Sequence, residues 1–179
     1  MDIIHKKGLD AAKTFAPLLV MADQAGMAGE SAGNAYRKVF QSVMNTEKVK
    51  DANDELKGTG VRFDFTDGKG EFGGPEKMYT QLAQLQKLNT EKRLATLKGI
   101  FGDDAETLQV LNIMITKGIS GYRETASKLQ HQASLRERVD ASLNTLGNKW
   151  EAATGSFTNA MASFGEIVAP ALKKLADWL

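Results

Sequence analysis

The sequence predicts a mainly α fold: a compact multi-helix domain carrying one small β-hairpin, followed by a long C-terminal helical extension. Three observations lead there. Ala, Leu, Lys, Glu and Gln are plentiful and only three prolines interrupt 179 residues, a composition that favours helix. Apolar residues recur at three- and four-residue spacing along most of the chain, the period of a helix with one buried face. At residues 61–72 alone the period drops to two, which is strand spacing. The length suits one domain with an extension, divided as a helical head over 1–118 and a helical arm over 119–179.

In chain order, residues 1–13 are helix-compatible, with Ile3, Ile4, Leu9 and Ala12 as a stripe. Pro17 suits the first turn of a helix, here over 16–25, presenting Leu18, Leu19, Met21 and Ala22 and ending at Gly26. Ser31 is placed to cap a helix over 32–44, whose face is Ala35, Tyr36, Val39, Phe40, Val43 and Met44. Gly26, Gly29 and Gly33 fit a turn and close packing between those two helices. Residues 46–57 form a polar helix with only Val49, Ala52 and Leu56 to bury. Val61, Phe63 and Phe65 then alternate with Arg62, Asp64 and Thr66, and Asp67-Gly68-Lys69-Gly70 is turn chemistry before Glu71-Phe72; together they predict the hairpin.

Pro75 opens a helix over 75–88, with Met78, Leu82, Leu85 and Leu88 (or Tyr79) turned inward. Asn89 or Thr90 caps a helix over 91–101 that buries Leu94, Leu97, Ile100 and Phe101. Gly102 suits its left-handed end, and Asp103 or Asp104 caps the next helix. That helix, over 104–116, carries Leu108, Val110, Leu111, Ile113, Met114 and Ile115 on more than one face. A helix apolar nearly all round wants to be surrounded, so it is expected to organise the core. After Gly118, Ser120 caps a long helical region. Its stripe from Val139 to Leu179 steps by roughly 3.6 residues, close to the ~3.67 of an eleven-residue repeat. Within it Leu143, Leu146, Trp150, Phe157, Met161 and Phe164 are the expected packing or self-association residues. Gly155, Gly165 and Pro170 weaken the stripe, and proline kinks or breaks a helix interior.

The bulk numbers point away from several function classes. Net charge is +1, so no global field gathers nucleic acid or an anionic membrane. The chain has no cysteine, which removes thiol nucleophiles and thiolate metal sites. No apolar run approaches the ~20 residues of a membrane span. His5 and His131 stand far apart without a ligand cluster. A calcium-loop alignment with Gly68 at the invariant glycine puts Gly74 where a bidentate Glu is required, so a turn is the better reading. Phosphate-loop, dinucleotide and nucleophile-elbow motifs are missing. The expectation is a non-enzyme with no catalytic, metal or cofactor residue.

Two blocks of sequence resemble phage tail tape measure proteins. The first runs from Phe15-Ala16-Pro17-Leu18-Leu19 through Gly26, then Ser31-Ala32-Gly33 and Arg37. The second comprises Gly60-Val61-Arg62-Phe63-Asp64-Phe65, the Asp67-Gly68 turn and the Leu82/Leu85/Leu88 helix. It continues through Thr90-Glu91-Lys92-Arg93 to Ile100-Phe101-Gly102 ahead of an apolar helix. The resemblance covers roughly residues 15–115. It implies a rod segment inside the tail that sets tail length and templates tube assembly. The implied partners are the tail tube protein, tail assembly chaperones and the baseplate hub, with homo-oligomers possible and neither nucleic acid nor membrane engaged. It implies residence in the virion tail interior, after assembly in the host cytoplasm. Even fully helical, 179 residues span only about 270 Å at ~1.5 Å each, so a portion of a longer chain is expected. The alternative is a soluble helical adaptor or scaffold that self-associates through its C-terminal helix.

Overall fold

A computed structural model describes residues 8–131, with side chains from Lys13 onward. Six α-helices follow in order: α1 Gly8–Gln24, α2 Gly29–Val43, α3 Thr46–Glu55, α4 Gly74–Ala83, α5 Thr90–Phe101 and α6 Ala105–His131. A short 3-10 turn, Gln84–Lys87, extends α4. The expected head boundary at 118 falls within α6, and the arm stripe, including Leu143, Leu146, Trp150, Phe157, Met161 and Phe164, lies outside the described residues.

The most fully enclosed run of helix among the described residues is 15–22 of α1, where every residue is buried. Proline does not open this helix as expected; Pro17 sits inside it. Its missing N–H leaves the carbonyl four residues back without the usual partner. One residue on, the Tyr122 hydroxyl donates to the Thr14 carbonyl at 2.8 Å. The Tyr36 hydroxyl likewise reaches the Leu18 carbonyl at 3.1 Å. Packing on all sides therefore carries the helix through a residue that local preference would place at its start. The helix α6 does pack against α1, α2, α4 and α5, burying Val110, Leu111, Ile113 and Met114. It nevertheless keeps a solvent stripe at Ala105, Gln109, Asn112 and Thr116, so it shares the organising role with α1.

Helix ends follow local chemistry in most places. Asn45 and Asn89 each accept the N–H three residues on, from Lys48 and Lys92. Asp104 accepts from both the N–H and the hydroxyl of Thr107. Gly102 ends α5 at φ 85°, its N–H donating to the Lys98 carbonyl at 2.8 Å. Ser31 is not a cap: α2 begins earlier, at Gly29, after Ala28, which offers no side-chain bond. Leu94 is 48% exposed rather than buried, because α5 turns Thr96, Ile100 and Phe101 inward instead. At Gly118 the backbone leaves helical geometry (φ 62°, ψ −174°) and α6 bends sharply.

The expected β-hairpin at 61–72 does not form. Its alternation is real: Val61, Phe63 and Phe65 are buried while Arg62 and Asp64 face water. What is missing is a second strand. The only pairing among the described residues is one isolated bridge between Thr66 and Phe72. The backbone finds side-chain amides from flanking helices instead. The Phe63 N–H donates to Asn53 Oδ1 at 2.7 Å, and Asn53 Nδ2 donates to the Phe63 carbonyl at 2.9 Å. Gln81 accepts from the Asp64 N–H at 2.9 Å, and Gln84 donates to the Arg62 carbonyl at 2.9 Å. Backbone polar groups near a core need partners, and three amide side chains supply the ladder that a neighbouring strand would have supplied. The aromatic side of the segment then joins the core: Phe65 meets Phe101 edge-on at 6.3 Å, and Phe72 lies 5.1 Å from Phe40.

Candidate functional site

The motif residues singled out from the sequence are scattered through the fold as structural parts. Gly26 lies in the turn after α1, where its N–H bonds the Asp23 carbonyl. Gly33 is buried on α2. Asp67 Oδ1 accepts from the N–H groups of Lys69 and Glu71, which holds its carboxyl below the usual range, the Lys69 bond being the larger cause. Gly68 follows within this loop, at φ 85°. Phe101 and Gly102 make the corner between α5 and α6. Arg37 stands alone among these positions: its Nε is buried and has no hydrogen-bond partner.

Sequence reasoning missed Arg93. Its guanidinium donates to the carbonyls of Leu85 and Leu88, both at 3.1 Å, tying the start of α5 to the 3-10 turn. The available signal was an arginine just after a helix end, where unpaired carbonyls collect.

Two concavities stand out among the described residues. One, of about 700 Å³, lies between α3 and the extended segment, lined by Lys50, Asn53, Asp54, Leu56, Lys57, Val61 and Arg62. The carboxylate in that lining, Asp54, is tied to Lys57 at 2.9 Å, and that bond lowers its pKa. The wall is apolar with cations around it, and no acid–base pair converges there.

The second is a groove of about 400 Å³ between α4 and the bend of α6. Tyr79, Leu82, Ala83, Met114, Ile115 and Ile119 give it an apolar lining, with Thr80, Gln86 and Ser120 at polar positions. The rings of Tyr79 and Tyr122 lie 5.5 Å apart. Burial, with a smaller effect from the Glu76 charge, pushes the Tyr122 phenol up to about 12. Burial also pushes Tyr79 well above the ordinary phenol range. Both hydroxyls therefore stay protonated near neutral pH. Tyr122 uses its proton on Thr14, whereas the Tyr79 hydroxyl is buried with no partner. A bidentate contact from Arg123 to Glu76, at 2.9 and 3.2 Å, joins the two helices.

Neither concavity has the composition of a reaction centre. Among the described residues no group of three or more His, Cys, Asp or Glu could hold a metal ion. His131 is exposed at the end of α6; His5 lies outside the described residues. Among the described residues no helix is long and apolar enough to cross a membrane. The arrangement is suited to binding through shape and apolar contact.

Comparison with known proteins adds one result. Residues 1–102, more than half of the chain, match the model of a family described as "Phage-related minor tail protein". The match takes in α1 to α5 and closes at the Gly102 corner, overlapping most of the stretch that carries the sequence resemblance. No curated protein and no solved structure matches the chain.

Proposed function

Because this chain belongs to the phage-related minor tail protein family, we propose that it acts as a tape measure segment, a structural and non-enzymatic part of the tail. In this reading the protein sets tail length and templates the tube. The observation that carries it is the coincidence of the family match over residues 1–102 with the ordered tape-measure-like blocks on the same helices. Two features add support. The described residues are mainly helical, and helix laid end to end converts chain length to distance at ~1.5 Å per residue. The sequence beyond residue 131 holds one apolar stripe at helical spacing.

Its partners under this proposal are the tail tube protein, the tail assembly chaperones and the baseplate hub. It resides inside the virion tail after assembly in the host cytoplasm. The test is mass spectrometry of purified tails, with antibody labelling before and after the tube is opened. The reading expects the protein in tails, shielded while the tube is intact. Absence from tails, or labelling on the outside of closed tubes, would overturn it.

A further inference from the structure

The concavity between α3 and the extended segment carries charge that the fold leaves unspent. Lys50, Lys57 and Arg62 line it, against a single carboxylate, Asp54. That carboxylate is already held by Lys57 at 2.9 Å. Among the described residues Lys50 and Arg62 take part in no salt bridge. Arg62 enters the hydrogen bonds of the fold through its backbone, which meets the Gln84 amide, so its guanidinium is not consumed there. Leu56 and Val61 add apolar lining. The rim is open at Gly58 and Gly60, where even an added Cβ would meet nothing within 4 Å.

We propose that this concavity docks an acidic segment of a partner protein, with carboxylates on Lys50 and Arg62 and one apolar side chain over Leu56 and Val61. Charge complementarity selects that occupant. The lining sets three cations against one carboxylate, on a chain whose whole net charge is only +1, so the excess is local. Opposite charge across an interface steers encounter and fixes register. A guanidinium takes a carboxylate through two parallel N–H donors, and an ammonium adds a compact point charge. A nucleic acid suits this lining less well. It has no aromatic ring on which a base could stack, and Asp54 would repel a phosphate backbone. A small inorganic anion would leave Leu56 and Val61 without a counterpart. Such a contact goes beyond the setting of tail length and does not depend on it.

The test uses the purified full chain and a fluorophore-labelled, end-blocked peptide of glutamates around one leucine, read by fluorescence anisotropy at physiological salt. Saturable binding is expected. Lys50→Glu with Arg62→Glu should weaken it by about tenfold or more, because like charges then face each other. Lys117→Glu with Lys128→Glu, on α6, makes the same change in net charge. That pair should leave the affinity within about twofold, since salt screens charges beyond ~8 Å. Replacing the leucine of the peptide by glycine should weaken binding by about fivefold. No saturable binding, equal loss in both variant pairs, or equal affinity for the leucine-free peptide overturns the proposal. So does tighter binding of a short duplex DNA that Lys50→Glu with Arg62→Glu abolishes. Circular dichroism checks the fold. If the charge-reversed pair unfolds, Lys50→Gln with Arg62→Gln decides: a loss of about threefold or more is expected, and no loss overturns the proposal. The readout uses purified protein without tails, so its failure is separable from failure of the tape measure reading.

Discussion

Removing the Asn53 amide tests whether side chains replace a strand in the extended segment. Asn53 meets both backbone groups of Phe63, accepting at 2.7 Å and donating at 2.9 Å. Each net hydrogen bond is worth about 0.5–1.5 kcal/mol, so the pair is worth ~1–3 kcal/mol. The site is half-buried and water recovers part of the loss, which places Asn53→Ala near ~2 kcal/mol. Urea unfolding followed by circular dichroism should show a lower midpoint at unchanged slope. A melting shift of roughly 4–10 °C should accompany it. Asn53→Asp keeps the acceptor for the Phe63 N–H but sets a carboxylate against the Phe63 carbonyl, so it should recover less than half of the loss. Gln84→Ala, at an exposed contact, should cost only ~0.5 kcal/mol. If Asn53→Ala stays within ~0.3 kcal/mol of the parent, burial of Val61, Phe63 and Phe65 alone holds the segment and the amide ladder is incidental.

Three further outcomes are expected. Gly118→Ala should destabilise by ~1–3 kcal/mol, because φ 62° with ψ −174° is a region kept for glycine and a Cβ there meets nothing within 4 Å; calorimetry reads it. Tyr122→Phe should cost about 1 kcal/mol through the lost bond to the Thr14 carbonyl beside Pro17, measured by urea unfolding. Asp104 is held at about 2, first by the Thr107 hydroxyl, then by the Thr107 N–H and Lys38. Its folded pKa lies below its unfolded value of about 3.9. The stability it gives is therefore complete above about pH 4 and fades as pH falls towards 2. The Lys38–Asp104 pair is more than 40% exposed on each side, so the contribution is ~1 kcal/mol after screening. Asp104→Ala should lose that amount at neutral pH and flatten this part of the acid limb.

What could be read from the chain was what short-range chemistry decides. Asn89, Gly102 and Asp104 were legible because a cap or a left-handed corner is set within four residues. The alternation at Val61, Phe63 and Phe65 was legible as a buried-exposed pattern. Its pairing was not, because the partners are amides on α3, α4 and the 3-10 turn, positions 10 to 22 away along the chain. Pro17 was misplaced for a related reason: local preference puts proline in a first turn, and only enclosure by packing explains it inside α1. Leu94 satisfied the helical spacing, yet the face α5 buries is chosen by its neighbours. The Tyr79–Tyr122 pair left no sequence signature, since α4 and α6 meet only in the folded chain.

The most direct measurement for the proposed role is the length of tails assembled with this chain. An in-frame insertion of about 60 helix-forming residues within 139–179 adds ~90 Å at ~1.5 Å per residue. Electron microscopy of assembled tails should show them longer by about that amount. Tails of unchanged length that nevertheless contain the lengthened protein would contradict the account.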